Sequence, residues 1–336
     1  MGRVKGFDGI RALAVLMVIM SHAVIWPRIG VENQKIIDVF SPSVGVSIFF
    51  ALSGFLITSL LIHEKQEKGG INVFNFIVRR SLRIFPLYFL AVFLILFMDS
   101  IGAARINNCI YLYAFTYTLN FVPQECNFSS FSHFWSLAVE QHFYLVWPFV
   151  FLLGRYVSLA VAVLFAAACL YFSTSLYSSG DVYYLDRWTF PAALPIAFGC
   201  IAAFIAQWRI VKHFLGNPSN SAIVLVAILT GLLSPAFYKS DLVWMISVSL
   251  LLLYVFHNQD SLLVRMLEVK PLVVLGVISY GLYVWQGVLT GNGPYRENSL
   301  PFPPEMDAGL WMTFIAAPLS YILFERPLLR LKSRFK

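Results

Sequence analysis

The sequence predicts an all-α polytopic membrane protein of about ten transmembrane helices, and three observations carry that prediction. Hydrophobic residues make up 59% of the 336 residues and charged residues only 12%, against about 45–50% and about 25% in soluble domains. The apolar residues gather into runs long enough to cross a bilayer. The basic residues gather at one set of run ends, as the positive-inside rule requires of short loops. A chain this poor in charge cannot cover a soluble fold, and the same composition excludes disorder, a coiled coil and a disulfide-stapled secreted module.

The apolar runs lie at roughly 10–27, 44–62, 84–101, 134–153, 157–173, 190–207, 221–238, 242–257, 271–290 and 309–325, each near the length of a span. The first follows Arg3 and Lys5, and Ser21-His22-Ala23 has the small-x-small form of a signal cleavage site. Asp8 and Arg11 interrupt its start and nine runs follow, which favours a retained helix. Arg11 and His22 are eleven residues apart, so on a helix they share one face, separated by a rise of about 16 Å. That places Arg11 at the cytoplasmic rim and His22 in the outer half, where a polar group is costly unless it has a function or a partner.

The third run opens from the inside on Val78-Arg-Arg-Ser-Leu-Arg-Ile-Phe-Pro86. Arg80 and Arg83 are i, i+3 neighbours on one face, and paired guanidinium groups bind phosphates bidentately. A topogenic anchor and a phosphate site both account for this pattern. Next comes 109–122, too short to span and ended by Asn120 and Pro123, which reads as interfacial or re-entrant. Cys109 and Cys126 fall in this outer loop, where a disulfide is chemically allowed, whereas Cys169 and Cys200 lie in spans as small packing residues. The fourth run opens from outside on His133-Phe-Trp-Ser-Leu-Ala-Val-Glu140. Glu140 is placed about two turns below the outer surface and needs either a partner from another helix or a proton. In the ninth run Gln286 puts an amide in the outer half. Glu325-Arg-Pro327 closes the tenth at the inner rim, with a carboxylate available to the arginine cluster and a Pro that ends the helix.

An even number of spans puts both termini on one side, and the distribution of basic residues makes that side the cytoplasm. Arg28, Lys35, Arg105, Arg187, Lys239 and Arg296 then face outward and the remaining eighteen of 24 Lys and Arg face inward. Net charge +7 is thereby explained without nucleic acid as a partner. No Cys/His spacing indicates a metal. The connections at 63–83, 102–133 and 291–308 are too short for a separate soluble domain, so 1–336 reads as a single transmembrane domain.

Five motifs now stand in order: Phe7-Asp-Gly-Ile-Arg-Ala-Leu-Ala14 with His22 following Arg11, Phe49-Phe-Ala-Leu-Ser-Gly-Phe-Leu-Ile57, Arg80-x-x-Arg83-Ile-x-Pro86, Phe134-Trp-Ser-Leu-Ala-Val-Glu140 and Ile278-Ser-Tyr-Gly-Leu-Tyr-Val-Trp285. Together they resemble the membrane-bound acyltransferase 3 family along essentially the whole chain. The resemblance implies a bacterial inner-membrane O-acyltransferase of the stand-alone form. Such a protein moves an acyl group, usually acetyl, from cytoplasmic acetyl-CoA to a hydroxyl of a cell-surface glycan such as lipopolysaccharide O-antigen. It implies donor binding by Arg11, Arg80 and Arg83, and catalysis by His22 as general base, with Glu140 orienting the imidazole or holding the acceptor. His133, Trp135, Ser136, Tyr280 and Gln286 become substrate contacts. The expected partners are membrane lipid and a glycan or lipid-linked glycan on the outer side, and no metal is called for. Two departures matter. The family's ninth-helix motif commonly ends in His where this chain has Gln286, and Gln141 replaces a usual second Glu. Glutamine cannot take a proton at neutral pH, so acid/base chemistry falls to His22. The competing readings are acylation of a small molecule or another glycan, and secondary transport of an anionic solute, for which intramembrane Arg, His and Glu also suit.

Overall fold

The structure is a computed structural model that describes residues 2–126, 129–179, 187–233, 241–291 and 300–335. The expected outer charges Lys239 and Arg296 lie outside these residues. All regular structure among the described residues is helical. The principal helices are α1 (Phe7–His22), α2 (Pro42–Lys68), α3 (Val73–Ser100), α4 (Trp135–Leu152), α5 (Arg155–Ser179), α6 (Leu194–Ile205), α7 (Arg209–Gly216), α8 (Pro218–Leu233), α9 (Asp241–His257), α10 (Lys270–Val277), α11 (Ser279–Thr290), α12 (Met306–Ser320) and α13 (Arg326–Leu331).

Each apolar run of the sequence falls on one or more of these helices, but fewer of them qualify as spans than expected. Four stretches among the described residues are long and apolar enough to cross a membrane: Ile37–Lys68, Val73–Ser100, Arg155–Ser175 and Met306–Leu331. The count rises to six if the pairs α6–α7, bent by 88°, and α10–α11, bent by 64°, are each one broken span. Elsewhere helices are short. At 1.5 Å per residue, the 16 residues of α1 reach about 24 Å, less than a hydrocarbon core of about 30 Å. The segment 109–122 does not span. It forms a seven-residue helix, Cys109–Phe115, and a 3₁₀ turn, Leu119–Phe121, and a Cys109–Cys126 disulfide closes the loop.

Glycines set how closely the helices approach. At Gly54 of α2 an added Cβ would fall 2.1 Å from the Ile196 carbonyl oxygen, and at Gly199 of α6 one would fall 2.1 Å from that of Ala51. These reciprocal crossings are the small-residue packing expected where helices gain little from hydrophobic burial. The same device clamps α1 from both sides, through Gly45 against the Ala14 carbonyl and Gly276 against the Asp8 carbonyl.

These contacts also fix depth. α1 and α2 run antiparallel, with Gly45 beside Ala14 and the rings of Phe7 and Phe55 edge-on at 5.6 Å. Ser53 therefore lies level with the first turns of α1, at the basic end of the bundle, while His22 closes the far end. The start of α4 is sunk into the bundle, its Trp135 ring against Phe50 at 6.0 Å. That decides where Glu140 sits.

Candidate active site

A narrow cavity opens among α1, α2, α3, α4 and α11. Its volume is about 80 Å³, room for several waters or a slender chain. Arg11, Arg80, Arg83, Ser136, Glu140 and Tyr280 all line it, so six of the ten expected site residues converge. Ser53, Tyr144, Ser279 and Tyr283 complete its polar wall.

The arginines reach it because α1 and α3 present them one helical face at a time. Arg11 pairs with Asp8 at 3.5 Å. The Arg80 guanidinium lies 5.7 Å from the centre of the Tyr144 ring and 5.6 Å from that of Phe76, a cation–π environment. Neither Arg80 nor Arg83 forms a hydrogen bond or ion pair among the described residues, although each has five donors to satisfy. Such a pair lining a cavity is suited to an anion.

Glu140 belongs to this same cluster. Its carboxylate accepts hydrogen bonds from the Ser53 hydroxyl and, one turn along α4, from the Tyr144 hydroxyl. The start of α4, packed into the bundle, brings it to this cluster. The partner it needed is two hydroxyl groups, with Arg80 and Arg11 within electrostatic reach. Glu325 is buried and lies against Gly281, with one oxygen unpartnered, and makes no ion pair with the arginines among the described residues.

The far wall of the cavity leads to a second group. Ser136 Oγ and Tyr283 Oη are 2.6 Å apart, and the Tyr283 hydroxyl donates to the His133 carbonyl at 2.8 Å. Beyond them the buried His133 ring lies 3.1 Å from the Val284 carbonyl through Nε2. A carbonyl can only accept, so Nε2 carries a proton and donates it. Gly287 makes room for this ring, since a Cβ there would come within 2.0 Å of Nδ1. His22 lies within electrostatic reach of His133 but does not line the cavity. Trp135 packs on Phe50, and buried Gln286 donates to Thr290 Oγ1 at 3.1 Å; neither lines the cavity. The sequence reading therefore missed Ser53, Tyr144 and Tyr283. Tyr144 had a signal, its i, i+4 spacing from Glu140. Ser53 sits inside a quoted motif but meets Glu140 only through the packing of α2 on α4.

Known proteins place this arrangement in context. Residues 4–325 match the acyltransferase domain family. The chain is 27% identical to the putative peptidoglycan O-acetyltransferase YrhL of Bacillus subtilis (strain 168), over 97% of the chain and 55% of that protein. It is 26% identical to the peptidoglycan O-acetyltransferase OatA of Listeria monocytogenes, over 97% of the chain and 56% of that protein. The figures for the O-acetyltransferase OatA of Staphylococcus aureus (strain NCTC 8325 / PS 47) are 26%, 96% and 57%. The chain thus spans little more than half the length of these relatives. No solved structure matches it.

Proposed function

Since the chain belongs to the acyltransferase 3 family, its match covering residues 4–325, we propose that it is a multi-pass O-acyltransferase moving an acyl group, in the first place acetyl, from a coenzyme A thioester to a glycan hydroxyl. The observation that carries this reading is the cavity itself, with Arg80 and Arg83 unpaired among the described residues at one end and hydroxyl groups and histidines towards the other. In this reading the basic end faces the cytoplasm of a bacterium, the ten apolar runs all sit in the inner membrane, and acetyl-CoA enters from below.

Distance supports the division of labour. The pantetheine arm is about 15–20 Å long, and the helical rise from Arg11 to His22 is about 16 Å. Phosphates held by Arg11, Arg80 and Arg83 therefore leave the thioester at the level of His22. There His22, neutral, takes the proton of the acceptor hydroxyl as its oxygen attacks the thioester carbonyl, a contribution typically of 10²–10⁴-fold. The carbonyl oxygen gains negative charge as the hydroxyl oxygen adds, and it re-forms the carbonyl as the carbon–sulfur bond breaks, His22 returning the proton to the departing sulfur. The coenzyme leaves as the thiol. Glu140, far from His22, serves the donor end by holding Ser53 and Tyr144 and balancing the arginines. Tyr280 and Trp135 shape the walls, and His133 and Gln286 shape the end where the acceptor arrives.

For the acceptor, the relatives' names favour peptidoglycan over O-antigen, and a lipid-linked glycan presented at the outer leaflet satisfies the same geometry. The test is thiol release by purified protein in proteoliposomes supplied with acetyl-CoA and glycan fragments, followed by mass spectrometry of the fragments. Acetylated product with stoichiometric thiol supports the reading. Transport of solute without thiol release would replace it with the transporter reading.

A further inference from the structure

The segment Lys332–Phe335, after α13, folds back onto α3. Arg79 pins it there. One guanidinium nitrogen donates to the Phe335 carbonyl at 2.6 Å, and another bonds the Glu64 carboxylate of α2 at 2.9 Å. Held this way, partly buried Lys332 stands within electrostatic reach of Arg83, Arg80, Arg79 and Arg11.

A lysine on a surface of like charges ordinarily turns its stem towards water, and repulsion between ammonium and guanidinium groups at short range favours that escape. Lys332 is instead turned in. Among the described residues it has no hydrogen bond or ion pair, and neither have Arg80 and Arg83. The nearby acids are already engaged: Glu64 with Arg79, Asp8 with Arg3 and Arg11, and Glu140 with Ser53 and Tyr144. Glu325, within reach of Arg83, is buried against Gly281 and makes no ion pair among the described residues. Three basic groups from two segments, none with a hydrogen bond or ion pair among the described residues, thus lie within electrostatic reach of one another. Such a cluster suits an anion with several charges.

We propose that Lys332 is a binding residue of the donor site, taking the 3′-phosphate of coenzyme A while Arg80 and Arg83 hold the pyrophosphate. The inference rests on the donor reading above and names the group that reading left unassigned. Position and chemistry both select it. Arg80 and Arg83 line the cavity that takes the arm, whereas Lys332 is not among the lining residues and stands on the turn that Arg79, the residue before Arg80, holds against α3. In coenzyme A the pyrophosphate precedes the arm, and the ribose 3′-phosphate branches off one step further out. A phosphomonoester carries close to two charges at neutral pH, and a compact ammonium meets it as a point charge while planar guanidinium groups bridge the pyrophosphate oxygens.

The experiment compares acetyl-CoA with acetyl-dephospho-CoA, which lacks only the 3′-phosphate, as donors for the full chain in proteoliposomes. The wild type should prefer acetyl-CoA by about tenfold or more in kcat/KM, through KM, as loss of a charge-assisted contact implies. In Lys332→Ala the ratio should fall to near unity, and Lys332→Arg should recover most of it. Thermal unfolding and yield, matched across the variants, separate this from misfolding, and Lys332→Gln serves if the alanine variant does not fold. A preference retained in Lys332→Ala or Lys332→Gln would overturn the assignment, as would an equal loss with both donors. If the wild type released thiol from neither donor, the donor reading itself would fall and this inference with it; thiol release without discrimination would remove Lys332 alone.

Discussion

At the scale of single residues, the two ends of the site make different demands. His22 is the group of the proposed acceptor end that can take a proton near neutral pH and stands on the Arg11 face of α1. Its replacement by Ala should lower turnover by about 10²–10⁴-fold while acetyl-CoA affinity changes little, because the charged end of the donor lies about 16 Å away along the helix. Gln286→Ala should cost only about 0.5–1.5 kcal/mol, the worth of an ordinary hydrogen bond. Near-normal turnover in well-folded His22→Ala would remove His22 as the base. At the donor end, Arg83→Ala should weaken acetyl-CoA binding by about 1.5–3 kcal/mol, and Arg83→Lys should restore only part, since Lys lacks the planar fork. Unchanged affinity in both would return Arg83 to the role of a topology anchor. Lys332 adds a pH signature. Burial and the neighbouring Arg83, Arg80, Arg79 and Arg11 hold its ammonium down to about 7. A bound phosphate favours the charged form and raises that value again, so donor binding at pH 8 should take up a proton and KM should climb between pH 7 and 9. Calorimetry in two buffers of different ionisation heat measures the uptake, and buffer-independent heats would contradict it.

At the scale of helices, the site depends on glycines more than on any polar pair. Gly287 of α11 is where the His133 ring rests, and a methyl group there would overlap it at 2.0 Å. Overpacking of a rigid ring against a helix backbone costs about 1–3 kcal/mol. Gly287→Ala should therefore lower the thermal midpoint and displace His133, with activity falling further than stability explains. The control is Gly70→Ala, where nothing lies within 4 Å of the added group; if both variants behave alike, the packing account of His133 fails. The sunken start of α4 is the other element-scale fact. It carries Glu140 to the arginines, and no local pattern announces it, because an apolar helix beginning inside a bundle reads the same as one beginning at a membrane surface.

At the scale of the whole molecule, topology is the claim on which every site argument turns. With both termini cytoplasmic, a single Cys at Lys68 should resist impermeant maleimide from outside and one at Arg105 should react; the reverse pattern would invert donor and acceptor ends. The sequence by itself determined the membrane class, the all-helical fold and the set of polar residues from which the site is drawn, because a low-dielectric solvent makes composition and each intramembrane charge decisive. Arg11, Arg80, Arg83 and Glu140 were legible for that reason. Only the tertiary structure decided which of them meet. Ser53 reaches Glu140 through the packing of α2 on α4, Tyr283 reaches Ser136 through α11, and Lys332 reaches the arginines through Arg79. Helix lengths were likewise settled by packing, since a bend of 64° between α10 and α11 breaks the apolar run 271–290 that hydropathy joins. Depth and pairing are relations between segments distant in the chain, set by where glycines let backbones touch, and residue order along one helix does not contain them.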